Sequence, residues 1–158
     1  MSGRVGVMRV LLTSAVALLL TIVPLPAIIN MGRPDWLILL VIYWSLNAPM
    51  LAGLTYAWIC GLILDALIGN LIGQHALAFV LVATAAQHFQ LRIRVFPVPH
   101  QAVVVLLLLA LYHFLLFWID GIVGTAVASW LRWLPAVVGA LLWPLLVAVL
   151  DTSNRHLR

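Results

Sequence analysis

The chain has 158 residues, of which 66% are hydrophobic and only 8% are charged. Soluble domains carry roughly 25% charged residues, so this composition excludes an ordinary soluble protein and predicts an integral membrane protein in a lipid bilayer. At roughly 20 residues per span, the length accommodates about five to seven transmembrane helices and no folded domain outside the membrane. The formal net charge of +4 comes from Arg at the ends of apolar stretches. Such residues set membrane orientation, so we expect no nucleic-acid partner.

The apolar stretches predict an all-α protein with a single transmembrane domain over residues 1–158. The first stretch is too long for a signal peptide and lacks a convincing cleavage site, so we interpret it as a retained helix. Residues 36–68 contain one acidic residue and no basic one. As one helix they would reach about 50 Å, well beyond a hydrocarbon core of roughly 30 Å, which predicts a break near Pro49. The predicted spans are approximately 10–29, 36–50, 52–68, 76–91, 101–119 and 134–150.

The distribution of Arg predicts that both termini are cytoplasmic, because short cytoplasmic loops carry an excess of positive charge. With six spans, Arg33 and Arg132 fall on the outer side, and the inner side receives Arg4, Arg9, Arg92, Arg94, Arg155 and Arg158. Treating residues 36–68 as one span would weaken this bias. The charge pattern therefore supports the same break near Pro49.

The stretch 61–77 places an acidic residue, Asp65, inside an apolar run. At helical spacing Gly61, Asp65 and Gly69 share a face. Gly69 and Gly73 form a GxxxG pair, which is typical of close helix contacts in lipid. A carboxylate in a span must face protein or a water-filled cavity. Two interpretations stay open: a polar anchor that binds a partner or ligand or relays a proton, and an acid near the outer end of the third span that snorkels or accepts hydrogen bonds from the following turn.

Two histidines accompany the acidic residues. His75 either pairs with Asp65 across the turn or is an interfacial residue, and we expect the interfacial position. His113 and Asp120 are seven residues apart on the fifth span and share a face, and we expect His113 to bond a neighbouring carbonyl group.

The sequence contains no recognisable catalytic or metal-binding motif. No serine lies in a Gly-x-Ser-x-Gly turn, and Asp65 has no second intramembrane carboxylate for an aspartyl dyad. There is no phosphate-binding loop and no metal-ligand cluster. We therefore expect a protein that is not an enzyme and that binds no metal or cofactor.

Three stretches together resemble the MreD family of rod shape-determining membrane proteins in order and spacing, and the chain length and hydropathy match as well. They are Arg33-Pro34-Asp35-Trp36 running into Ile42-Tyr43-Trp44, then Gly61-Leu-x-Leu-Asp65 through Gly69, and then Leu71-Ile-Gly73-Gln74-His75-Ala76-Leu77. The combination carries the resemblance rather than any one motif. It covers nearly the whole chain, which is similar to proteobacterial members.

The resemblance implies a non-enzymatic, multi-pass subunit of the cell-elongation machinery in the bacterial inner membrane. It implies direct binding to the periplasmic scaffold MreC, with the transpeptidase PBP2, the glycosyltransferase RodA and the actin-like filament MreB in the same complex. Such a subunit would help couple the cytoskeleton to peptidoglycan synthesis and thereby maintain rod shape. The family also resembles the S components of energy-coupling-factor transporters, which are six-helix bundles with an outward-facing pocket.

The family motifs and the adjoining Gln74 supply the candidate partner or pocket residues, which are Arg33, Pro34, Asp35, Asp65, Gly69, Gly73, Gln74 and His75. With six spans, the loops 30–35 and 69–75 both lie on the periplasmic side and frame one face. We expect this face to receive a transmembrane or juxtamembrane segment of MreC. The alternative is a small-molecule-binding subunit of a membrane transporter, in which Asp65 and His75 contact the ligand.

Overall fold

The computed structural model describes residues 2–125 and 127–155, without the side chains of residues 2, 3, 5 and 153–155. Of the arginines used above to predict orientation, Arg158 lies outside the described residues, and only the backbone of Arg155 is described.

The described part of the chain is entirely helical in its regular structure, as the composition predicts. It contains seven α-helices and one 3₁₀ helix, Trp130–Trp133. The α-helices are α1 (Ser2–Ile22), α2 (Ala27–Met31), α3 (Trp36–Asn47), α4 (Leu54–Ile68), α5 (Gln74–Val95), α6 (Val98–Val123) and α7 (Leu134–Arg155).

Membrane-compatible helices are frequent among the described residues. Three helical segments there are long and apolar enough to cross a bilayer: Gln74–Val95, Val98–Val123 and Trp130–Thr152. Two further helical segments, Gly6–Ile22 and Leu54–Ile68, are apolar but shorter. These lengths and compositions fit a membrane protein, while six crossings and two cytoplasmic termini stay predictions.

Prolines account for two of the breaks between helices in the first half of the chain. The structure ends α1 at Ile22, and Pro24 and Pro26 separate it from the short α2, so the predicted span 10–29 is not one helix. Helix α3 ends at Asn47, two residues before Pro49. Proline has no backbone N–H and disfavours a helical conformation in the residue before it, which explains the position of both breaks.

Helix α3 lies at the centre of the bundle. Its ten residues from Leu37 to Leu46 are all buried, and it packs against α1, α5 and α7. A helix that is apolar all round is buried on every side, as the uninterrupted apolar sequence of α3 requires. With 12 residues it is about 18 Å long, shorter than a roughly 30 Å core. Neighbouring helices, rather than lipid, cover most of its surface.

The closest helix contact involves α4 and α5. A Cβ atom placed on Gly61 would lie 2.3 Å from Cα of Ala76 and 2.5 Å from its backbone nitrogen. No side-chain rotation can relieve a clash with backbone atoms. The absence of a side chain at Gly61 therefore allows the start of α5 to contact α4 directly.

We expect the substitution Gly61→Ala to destabilise the fold by about 1–3 kcal/mol, because the added methyl group forces α4 and α5 apart. The matched control is Gly121→Ala. Gly121 lies in α6, and nothing is within 4 Å of a Cβ atom built there. That change should be neutral or stabilise by up to about 1 kcal/mol. Thermal unfolding in detergent, followed by tryptophan fluorescence, measures both. Equal midpoints for the two variants would contradict the close contact.

Candidate functional site

Asp65 lies at the end of α4 and is fully buried. Its Oδ2 accepts hydrogen bonds from the backbone N–H of Gly73 at 2.8 Å and of Ala76 at 3.4 Å. Its Oδ1 accepts the backbone N–H of His75 at 3.1 Å and lies 2.7 Å from Nδ1 of the His75 ring. One carboxylate therefore accepts the backbone N–H groups of Gly73, His75 and Ala76, while the N–H of Gln74 bonds the carbonyl oxygen of Leu71.

This arrangement supplies the N-terminal cap of α5 from another helix. The first N–H groups of a helix have no partner within it, and the N-cap residue here is Gly73, which has no side chain. His75 and Ala76 are buried within the protein, and a buried N–H group without an acceptor costs about 1–3 kcal/mol. The negative charge of Asp65 also interacts favourably with the positive end of the helix dipole. Of the two interpretations left open by the sequence, the structure matches acceptance of hydrogen bonds from the following turn.

Gly69 and Gly73 do not form a helix-packing face, so that part of the GxxxG prediction is wrong. Both lie in the turn between α4 and α5 with positive φ angles of 76° and 101°. Nothing lies within 4 Å of a Cβ atom built on either residue. These glycines are needed for the left-handed backbone of the turn, not for close approach of helices. The exposed tip of the turn consists of Leu71 and Ile72, with exposed fractions of 57% and 75%.

His75 is buried against Asp65, so the expected interfacial position is wrong. Only 9% of its side chain is exposed. The ring contacts Phe79 edge-on and the tilted ring of Tyr112, with centroid separations of 6.5 Å and 6.3 Å. The contact of 2.7 Å between Nδ1 and the Asp65 carboxylate holds the imidazole inside the bundle.

A second carboxylate, Asp120 on α6, connects α5 to the segment before α7. Its Oδ1 accepts a hydrogen bond from Nε2 of Gln74 at 2.6 Å, and its Oδ2 pairs with the guanidinium group of Arg132. Arg132 also lies over the ring of Phe117, 5.5 Å from the centroid. The candidate Gln74 thus has a defined role at the start of α5, next to His75.

A third acidic residue, Asp35, directly precedes α3. Its Oδ2 lies 3.0 Å from Nε2 of His113 on α6. Neither atom meets the angular requirements of a hydrogen bond. His113 therefore faces a carboxylate, and the expected bond to a carbonyl group is not what the structure has. Pro34 is compatible with the extended backbone that leads into α3.

Arg33 points in a different direction from Asp35. Its Nη1 donates a hydrogen bond of 2.8 Å to the carbonyl oxygen of Val23, just after the end of α1. No ion pair of Arg33 is found within the described ranges. The guanidinium group therefore carries an uncompensated charge between α1 and α3.

These contacts make a polar layer at one end of the bundle, which we define as Asp35, Asp65, Gln74, His75, His113, Asp120 and Arg132. The buried ring of Tyr112 lies between the two histidine–carboxylate pairs, with its centroid 5.0 Å from that of His113. The layer connects the start of α3, the end of α4, the start of α5, α6 and the 3₁₀ helix.

The chemistry of the polar layer is structural. Each carboxylate is paired with a cationic or imidazole group, and within the described ranges no three His, Cys, Asp or Glu side chains are grouped as a metal site would need. The sequence prediction missed Asp120, Arg132 and His113 as members. Their signal was the presence of charge or imidazole at the ends of apolar stretches, but sequence spacing does not identify partners on different helices.

We expect Asp65→Leu to destabilise the protein by several kcal/mol, because it leaves buried N–H groups of α5 without an acceptor. Asp65→Asn keeps one acceptor oxygen and should fall between this variant and the wild type. The control is Asp151→Asn on α7. Asp151 accepts a single side-chain bond of 2.6 Å from Tyr43, which an asparagine oxygen can still accept. Thermal unfolding in detergent measures the order of stability. A midpoint of Asp65→Leu equal to that of Asp151→Asn would contradict the capping role.

Comparison with known proteins places this fold in a family. The family model for the rod shape-determining protein MreD matches residues 2–152. The rod shape-determining protein MreD of Haemophilus influenzae is 27% identical over 143 residues, which cover 90% of this chain and 88% of that protein. No solved structure matches the chain. The family match spans the polar layer and all the long helices, and the chain belongs to the MreD family of rod shape-determining proteins.

Proposed function

We propose that this protein is a non-enzymatic subunit of the rod complex in the bacterial inner membrane. Family membership supports a role in rod shape determination. In this proposal the protein binds MreC directly and thereby helps couple MreB filaments to peptidoglycan synthesis by PBP2 and RodA. The observation that carries the proposal is the turn between α4 and α5, whose backbone is held by hydrogen bonds to Asp65.

The turn combines a rigid base with an exposed apolar tip. Asp65 and the two left-handed glycines fix its backbone, and Leu71 and Ile72 project from it with most of their apolar surface uncovered. Such a pre-ordered tip loses little conformational entropy when a partner covers it. A partner segment that crosses or leaves the membrane at this end would bury both side chains.

The surroundings of the turn favour a protein partner. The polar layer beneath it pairs its own charges, so a docked segment need not supply compensating groups for Asp65 or Asp120. Arg33, on the loop before α3, offers a charge that can fix the orientation of a partner. The candidate residues of both loops therefore remain in the proposed interface, with the glycines shaping the turn and Leu71 and Ile72 making the contact.

The small-molecule alternative receives less support from the geometry. A ligand that binds to Asp65 and His75 would have to displace existing hydrogen bonds. Asp65 has no exposed surface, and both of its oxygens already accept hydrogen bonds. A cavity of about 360 Å³ lies elsewhere, between α1, α3 and α7. A protein partner at the exposed turn requires no such displacement.

The experiment is co-purification of MreC with the tagged protein from its native membrane in mild detergent. We expect Ile72→Ser to lower the recovered MreC by at least about tenfold, the effect of losing one buried aliphatic contact. The matched control is Ile122→Ser at the end of α6, where the side chain is 82% exposed. It should retain MreC at the wild-type level.

Stability and cell shape complete this test. Both serine variants should unfold at the wild-type midpoint, because neither side chain is buried in the bundle. In cells that depend on the plasmid copy, Ile72→Ser should cause rounding and Ile122→Ser should not. Recovery of MreC at the wild-type level with Ile72→Ser would refute docking at the turn. Absence of MreC from the wild-type preparation would refute the direct interaction itself.

A further inference from the structure

An apolar groove lies on the bundle away from the turn between α4 and α5. Its walls come from one face of α1 and one face of α7, and α3 forms its floor through Trp36 and Leu40. The wall residues include Leu12, Val16 and Leu20 of α1 and Leu142, Leu145 and Val149 of α7. The spacing of four residues along α1, and of three and four along α7, places each set on a single helix face.

The groove is short compared with a membrane span. The lining residues extend from position 12 to 20 on α1 and from 142 to 150 on α7, which corresponds to about 12 Å along each helix. A transmembrane helix of about 30 Å would extend well beyond this length.

The same dimensions fit a hydrocarbon chain from one leaflet. Half of a roughly 30 Å hydrocarbon core is about 15 Å, close to the length of the groove. The lining is almost completely apolar; its hydroxyl, from Thr13, already bonds the carbonyl oxygen of Arg9 and accepts a bond from Trp44. An occupant inside the groove therefore gains apolar contacts and no hydrogen bond.

Charge at the two ends of the groove indicates where a headgroup would lie. One end is formed by Leu20 and Trp36, and Arg33 bridges this end by bonding the carbonyl oxygen of Val23. Arg33 is partly exposed and belongs to no ion pair in the part of the chain described. Asp35, the nearby acid, faces His113 on α6 instead.

The opposite end of the groove differs in charge. It adjoins Asp151 of α7, which is bonded to Tyr43, and Arg9 of α1, so that acidic and basic groups are both present there. We place the phosphate group at the Arg33 end, where no carboxylate of the described residues lies within ion-pair distance of the guanidinium group. A guanidinium group is suited to phosphate because its N–H donors match the phosphate oxygens.

We propose that the groove between α1, α3 and α7 binds an anionic phospholipid, with an acyl chain along α3 and the phosphate group at Arg33. This site lies apart from the turn proposed to bind MreC. The lipid would fill the gap between α1 and α7, and it would supply the counter-charge that Arg33 lacks. The site shares Arg33 with the proposed MreC interface, but the groove itself does not include the turn between α4 and α5. Lipid binding is measured without MreC, so either proposal can fail alone.

The experiment is native mass spectrometry of the full-length protein, delipidated and then titrated with phosphatidylglycerol or phosphatidylcholine of identical acyl chains. We expect one phosphatidylglycerol molecule to bind about tenfold more tightly than phosphatidylcholine, as a charge-assisted contact would give. Arg33→Gln should remove this preference. The matched control, Arg92→Gln on an exposed position of α5, should keep it.

Filling the groove tests the acyl-chain position. Val16→Trp should abolish binding of both lipids, whereas Val103→Trp on the exposed face of α6 should not. Val16 and Val103 are exposed to similar extents, 55% and 59%. Leu145→Trp on α7 is a second groove-filling variant, and thermal unfolding verifies the folding of each protein. Wild-type protein that binds both lipids equally, or lipid binding that survives both groove-filling variants, would overturn the proposal. If those variants lose MreC but still bind lipid, the groove instead holds a segment of a partner protein.

Discussion

The fold depends on a buried carboxylate that satisfies the first turn of a neighbouring helix. Helix α5 begins within a tight turn whose N-cap residue, Gly73, cannot provide a side-chain acceptor. Because the start of α5 is buried in the bundle, unpaired N–H groups there would have no water to bind. Asp65 on α4 supplies the missing acceptor. Gly61, one turn earlier, allows the two backbones to lie close enough for the Asp65 carboxylate to contact these N–H groups. The cap and the close contact are therefore one structural unit.

The other polar contacts extend that unit across one end of the bundle. His75 and Gln74 are adjacent at the start of α5, and each contacts a different carboxylate, Asp65 on α4 and Asp120 on α6. Through Arg132, Asp120 also fixes the segment that enters α7. Buried pairs of this kind contribute little net stability but are costly to break singly. They join four helical segments at this end, while the buried apolar cluster includes nine residues of α3.

The sequence predicted the parts of this structure that follow from composition and local chemistry. Apolar stretches predicted an all-helical membrane protein, the rarity of acids identified Asp65, and proline chemistry predicted a break near Pro49. The role of Gly69 and Gly73 could not be predicted from their spacing. Inside a helix, a GxxxG pair allows close packing of helices, whereas across a turn the two glycines allow a left-handed backbone. The sequence spacing also could not predict which residues on different helices contact each other. His75 was expected at the interface, since only the folded chain places the Asp65 carboxylate against its ring.

The acceptor atoms of Asp65 are occupied by groups of the protein itself. A general acid or base must be free to exchange protons with a substrate, and it must lie within hydrogen-bond reach of it. Asp65 has no exposed surface, and its oxygens already bind the backbone and ring of α5. In the turn that these bonds hold, Asn70, Leu71 and Ile72 are exposed. The proposed interface uses the two apolar side chains of this turn.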